Sequence, residues 1–289
     1  MIKRLRTLLL SLALLCTVGA GTAHAGAAHA DAAHTQPTKR VFNAMQIIFS
    51  PSMPDAFCTL GAVGNDKYRH KIAITAGHCL NDPPYADREI PDDIAPVYDR
   101  ADPDFGPIGY VRYFKDPEGS QTGHVTKDYM VIELVPQVTL SSQGPYLKQT
   151  GELKVPGGVA SPNALDPALD NERLLATGSN EIITSGQTGV WYGTVVDNAD
   201  GVYRSPAANM HGDSGGPAIW HVPGTDLPSP ANGFQASGPW AGITKGITLN
   251  LPPFLYTSSA NILADLRARD TAAAPAGVFG AGFEVTTNP

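Results

Sequence analysis

The chain has 289 residues, 42% of them hydrophobic and 16% charged, with a formal net charge of -7. That acidic balance argues against a surface built for nucleic acid or for anionic membranes, and it implies nothing positive about a substrate. The length suits one large domain or two small lobes.

Lys3, Arg4 and Arg6 precede a nearly continuous apolar run from Leu8 to Val18, and Ala23-His24-Ala25 then offers the small-x-small pattern that a signal peptidase reads. The apolar run is about half of the roughly 20 residues that cross a bilayer, so no membrane anchor is expected. Bulky Leu15 before Cys16 does not suit a lipobox. Residues 1–25 therefore read as a signal peptide, with cleavage near Ala25 and export. Losing Lys3, Arg4 and Arg6 takes the net charge from -7 to -10. Cys16 leaves as well, and Cys58 and Cys79 remain as a disulfide pair in an oxidising compartment. Closing that loop contributes roughly 3 kcal/mol in the chain-entropy model.

Gly26 to Gln36 is rich in Ala and His, and residues 26–40 read as a low-complexity spacer or propeptide; His29 and His34 belong to it and are not taken as metal ligands. A period of two, with dense Gly and Pro, predicts strands at Gln46–Phe49, Lys71–Thr75, Gly109–Phe114 and Tyr129–Val135. Further strands are predicted at Val190–Val196, Gly216–His221, Trp240–Thr244 and Phe254–Thr257. Asn81 to Phe105, rich in Pro and Asp, reads as a surface loop without calcium-ligand spacing. One helix follows, capped by Ser258 or Ser259, with Ile262, Leu263 and Leu266 on one face. Thr271 to Gly277 is an Ala/Pro-rich tract, which puts the folded body at 41–270 and a tail at 271–289. Many short strands and a terminal helix predict an all-β sandwich or pair of barrels.

Gly212-Asp213-Ser214-Gly215-Gly216-Pro217 carries the chemistry. A serine hydroxyl attacks a carbonyl only when a base takes its proton and donors meet the oxyanion. Gly212 allows a turn in which the Gly212 and Ser214 amides converge, and Gly215 and Gly216 leave room for a substrate backbone. The stretch also satisfies Gly-x-Ser-x-Gly, but that elbow needs an acid and then a histidine downstream. His221 is the sole downstream histidine and no acid intervenes. Upstream, Thr75-Ala76-Gly77-His78-Cys79 places His78 at a strand end beside a cysteine that can be tied to Cys58. Asp128, directly before the apolar run Tyr129 to Leu134, is the candidate to orient His78. His70, His124, His211 and His221 lack such a setting and read as surface or structural.

Cys58-Thr59-Leu60-Gly61, Thr75 to Cys79, Asp128-Tyr129 and Gly212 to Pro217 together resemble chymotrypsin-like (trypsin-like) serine peptidases, above all the streptogrisin-like actinobacterial branch. Ser185 to Gly189 with Gly193-Thr194-Val195 resembles the opening of that branch's second barrel, and Gly242-Ile243-Thr244 its substrate-binding strand. The resemblance implies two six-stranded antiparallel β-barrels with a C-terminal helix, over about 41–150 and 170–257, and an active site in the cleft between them. His78 and Asp128 would come from the first barrel, Ser214 and the oxyanion amides of Gly212 and Ser214 from the second. It implies no cofactor, no metal, and a secreted monomer acting on protein or peptide substrates.

Ala208, Thr244, Lys245 and Gly246 would then line the substrate site. Ala208 stands where trypsin-like members carry a pocket aspartate, so a small or medium apolar side chain is expected there in place of Lys or Arg. Lys245 occupies a position that is commonly serine, whose hydroxyl helps hold the aspartate, and Ile247 one that is commonly glycine. Cutting after Arg40 would free the Val41 amine to pair with Asp213; Arg40-Val41 as a plain linker edge is the alternative. A catalytically silent secreted binding protein of the same fold, or a triad serving as an esterase, are the other readings.

Overall fold

Runs with a period of two become strands where neighbouring backbone can take up their N–H and C=O groups. The computed structural model describes residues 38–80, 87–115, 127–142, 146–147, 154–155, 160–166, 180–186, 189–199, 201–227, 229, 231 and 236–288. The expected signal peptide, the Gly26–Gln36 spacer, His124 and the pair Gln187-Thr188 lie outside them.

In chain order the strands begin with β1 (Lys39–Phe42), β2 (Gln46–Ile48), β3 (Phe57–Thr59), β4 (Ala62–Asn65) and β5 (Lys71–Thr75). Then come β6 (Arg88–Glu89), β7 (Pro96–Asp99), β8 (Pro107–Lys115), β9 (Tyr129–Leu134) and β10 (Val138–Ser141). The second half contributes β11 (Tyr146–Leu147), β12 (Lys154–Val155), β13 (Ala160–Asp166), β14 (Glu181–Gly186), β15 (Gly189–Thr194) and β16 (Asp197–Ala199). It ends with β17 (Val202–Ser205), β18 (Pro217–Trp220), β19 (Ala236–Ile247), β20 (Phe254–Ser258), the helix α1 (Ser259–Ala272) and β21 (Glu284–Val285).

One sheet has nine strands, ordered β21-β4-β5-β9-β8-β7-β2-β3 with β6 on β8. The other has eight, ordered β15-β14-β18-β19-β20-β17-β16 with β13 parallel to β19. β1 and β10 form a separate parallel pair. This is the all-β, two-sheet architecture with a C-terminal helix implied by the chymotrypsin-like resemblance, with more strands in each sheet than the six implied.

The central strands are apolar on both faces because each face meets a different core. On β9, Met130, Ile132 and Leu134 enter the interior of the first sheet, while Tyr129 and Val131 enter a core shared with the second. On β5, Ala73 goes one way and Ile72 and Ile74 the other. The second sheet does the same, with Ile183, Ile219, Trp240 and Ile243 in the shared core and Ile182, Ala218, Trp220 and Ala241 in its own interior. Buried on both sides, such strands read as continuous apolar runs.

Helix α1 buries Ile262 and Leu266 in the shared core, with Leu263 packed at its edge. Ser258 holds the N-cap position but makes no side-chain cap bond. Its hydroxyl faces Tyr203 Oη at 3.1 Å, and Ser259 Oγ donates to the Trp240 carbonyl, so neither serine caps the helix as the sequence suggested.

Two stretches fold where composition pointed to loop or tail. Within Asn81–Phe105, β7 lies between β2 and β8, with Val97 and Ile90 buried in the first core; residues 81–86 lie outside the described chain. Beyond residue 270, β21 pairs with β4, and the Thr286 amide donates to the Val63 carbonyl at 2.9 Å. Phe283 stands edge-on to Trp240 with ring centroids 5.8 Å apart. The folded body therefore runs on to residue 288, and its last strand extends the first sheet. Replacing Phe283 by Ala should cost about 3–4 kcal/mol in urea unfolding; a loss under about 1 kcal/mol would mean that the terminal segment does not contribute to the core.

Candidate active site

β5 ends at Thr75, and the chain enters a 3-10 turn, Gly77–Leu80, that carries His78 and Cys79. Cys79 is disulfide-bonded to Cys58 on β3, which ties the turn to a neighbouring strand. β5 pairs with β9 so that Thr75 faces Met130, and this register brings Asp128 under the turn. Asp128 is fully buried. Its Oδ1 accepts the amides of Gly77 at 2.6 Å and His78 at 3.1 Å, and its Oδ2 lies 2.7 Å from His78 Nδ1. Burial alone would push this carboxyl up. The charge and hydrogen bonds of His78 and the nearby Lys245 ammonium outweigh burial and hold it below the ordinary aspartate value.

His78 Nε2 lies 2.9 Å from Ser214 Oγ. Ser214 sits in the connection from β17 to β18, where Gly212 and Gly215 have φ of 90° and 80°, conformations that favour glycine. A Cβ on Gly215 would also fall 1.9 Å from Thr75 Oγ1. Both sheets hold this loop. From the first, the Thr59 amide donates to the Ser214 carbonyl at 2.8 Å and Thr59 Oγ1 to the Gly212 carbonyl at 2.6 Å. Thr75 Oγ1 donates in turn to the Thr59 carbonyl at 2.7 Å. From the second, Thr244 accepts from the Gly215 amide and donates to the Gly216 carbonyl, each at 2.8 Å. Among the described residues no backbone or side-chain acceptor takes the Gly212 or Ser214 amide.

Asp213 is buried, accepts the Met210 amide at 2.8 Å and packs against Gly186. In the uncut chain Val41 lies within β1, its side chain in the first core.

The four expected substrate-site residues separate. Ala208 and Gly246 are partly exposed, and the Gly246 carbonyl accepts from Asn209 Nδ2 at 3.4 Å. Thr244 is buried and its backbone holds the Gly215-Gly216 segment beside Ser214. Lys245 is buried at 0% exposure with Nζ 3.8 Å from Asp128 Oδ2; its side chain points into the protein, so a substrate-lining role is corrected to one beneath the aspartate. Ile247 is exposed at the end of β19. His70 pairs with Asp66 at 2.8 Å and His221 with Glu181 at 3.0 Å, away from the Ser214 network.

Sequence reasoning assigned no role to Thr59, Thr75 or Asn209. A strand threonine has the same pattern signal whether its hydroxyl serves a distant loop or not, so no local cue distinguished them.

No protein-family model and no curated protein matches the chain. Solved structures do align with it. Thermobifida fusca protease A is 19% identical over 78% of this chain and 95% of its own, with a TM-score of 0.43. A Nocardiopsis protease is 17% identical over 78% and 96%, with a TM-score of 0.43. Cellulomonas bogoriensis chymotrypsin is 18% identical over 86% and 100%, with a TM-score of 0.43.

A carboxyl held below its unfolded value stabilises the fold above that value, about pH 4, and the contribution is lost as pH falls through the lower folded value. Unfolding free energy should therefore decline from about pH 4 downwards, and more shallowly in an Asp128→Asn variant, as urea titrations over that range would reveal.

Proposed function

We propose that this chain is a secreted serine endopeptidase of the chymotrypsin-like kind, acting through Ser214, His78 and Asp128. The observation that carries the proposal is the unbroken contact series Asp128 Oδ2 to His78 Nδ1 to Ser214 Oγ, at 2.7 and 2.9 Å, between groups drawn from both sheets. Nucleophile, base and orienting acid then stand in the order that acyl transfer needs.

Ser214 Oγ attacks the carbonyl carbon of a peptide bond while its proton passes to His78 Nε2. The oxyanion is met by the Gly212 and Ser214 amides. Asp128 remains ionised, holds Nδ1–H and stabilises the imidazolium. The imidazolium protonates the leaving amine, and the C–N bond breaks to leave an acyl-enzyme. A water then loses its proton to His78, attacks the ester carbonyl and frees the acid, and the proton returns to Ser214. No step calls for a cofactor.

Ala208 supplies no carboxylate for a basic side chain, and exposed Met210 lies four residues before Ser214. Both suit a small or medium apolar residue before the scissile bond. Residues 41–150 and 170–257 would be the two lobes of a monomer, with β21 returning to the first. The signal-like N-terminus and the Cys58–Cys79 disulfide support secretion.

Treatment with a fluorophosphonate should add one adduct to the intact mass of the wild type and none to a Ser214→Ala variant. Peptide turnover should fall by about 10⁴-fold or more in Ser214→Ala and His78→Ala. Absence of any adduct would favour a silent binding protein, and ester cleavage without peptide cleavage an esterase.

A further inference from the structure

Lys245 is an unusual group to find beneath a catalytic carboxylate. Its Nζ is buried and has no hydrogen-bond partner among the described residues. The β19–β20 register pairs Thr244 with Tyr256 and Gly246 with Leu255, which leaves Lys245 as the extra residue of a bulge. A bulge re-aims a side chain, and this one turns Lys245 inward to Asp128 Oδ2 at 3.8 Å. That distance is outside hydrogen-bond range but within that of an ion pair, so Lys245 acts on Asp128 through its charge.

An ammonium removed from water must be compensated. Asp128 is the carboxylate it meets, and the same Oδ2 faces His78 Nδ1. One negative charge is thereby shared between the Lys245 side chain and an imidazole. With His78 neutral, the Asp128–Lys245 pair is balanced. With His78 protonated, the buried cluster carries a surplus positive charge.

Other groups face the same region. Thr257 of β20 contributes an uncharged hydroxyl to the Asp128 carbonyl. Asp213 of the nucleophile loop is a second buried carboxylate and accepts the Met210 amide, a neutral donor. Lys115, whose carbonyl abuts Gly77, directs its ammonium to Asp87 and Asp265. Tyr129, next to Asp128, sends its hydroxyl to Asp265. Cys79, beside His78, is in the disulfide and does not titrate.

We propose that Lys245 is a positioning residue that keeps Asp128 ionised and lowers the pH at which His78 takes up a proton, extending catalysis into acidic surroundings. The proposal rests on the peptidase chemistry above. It predicts that the acidic limb of kcat/KM against pH moves to higher pH, by about one unit, in Lys245→Met, which keeps the side-chain length and removes the charge. A uniform fall in kcat/KM with the limb unmoved would mean a merely structural role and overturn it.

A second measurement needs no turnover. The His78 imidazole, assigned by the loss of its resonance in His78→Gln, should titrate by NMR at lower pH in the wild type than in Lys245→Met and Lys245→Gln. Equal midpoints in wild type and variants overturn the proposal. A difference between them in protein that takes no fluorophosphonate would sink the peptidase reading and leave this effect of Lys245 on His78 standing.

Discussion

A carboxylate without access to water needs donors or counter-charge for both oxygens, and Asp128 draws them from separate parts of the fold. The turn after β5 supplies two amides and an imidazole, and the bulge in β19 supplies an ammonium. The arrangement closes only if β5 and β9 pair in the register observed and the second sheet packs against the first. The aspartate is thus a checkpoint on the fold as well as part of its candidate chemistry. Leaving it unpaired would cost more than a single surface contact could return.

The same economy of contacts governs the loop that carries Ser214. Thr59 reaches across from the first sheet by amide and hydroxyl, and Thr244 holds the loop by amide and carbonyl from the second. Ser214 is therefore held by backbone bonds from two bodies, which limits drift of Oγ relative to His78. Reaction rates depend steeply on such placement, because an attacking atom displaced by about 1 Å leaves the near-attack geometry. Disulfide, threonine hydroxyls and positive-φ glycines contribute to one outcome, a fixed distance between His78 and Ser214.

Much of this was legible in the residues. Lys71–Thr75 and Tyr129–Leu134 announced themselves as strands because both their faces are buried, so their apolar runs are continuous. The glycines around Ser214 and the Cys79 beside His78 marked where the backbone must turn tightly and be tied down. Asn81–Phe105 misled because β7 is short and its neighbours are Pro and Asp; only Val97 and Ile90 enter the core. The Ala- and Pro-rich stretch after α1 misled for a related reason. Its composition is that of a linker, yet Phe283 and Val285 beyond it complete the shared core.

The sequence by itself determined the strand-rich class, the terminal helix, the cysteine pair and the identity of the three residues that meet at the candidate site. Each of these is written in local pattern or in a small set of reactive side chains. What only the tertiary structure decided depends on distance between remote segments. That includes the burial of Lys245 under Asp128, the hydrogen bond from the Met210 amide to Asp213 and the place of Val41 within β1. It also includes the bridge from Thr75 of β5 to Thr59 of β3 and from Thr59 to the loop around Ser214. No periodicity records such relations, because the partners lie tens of residues apart and a bulge or one register step changes which side chains meet.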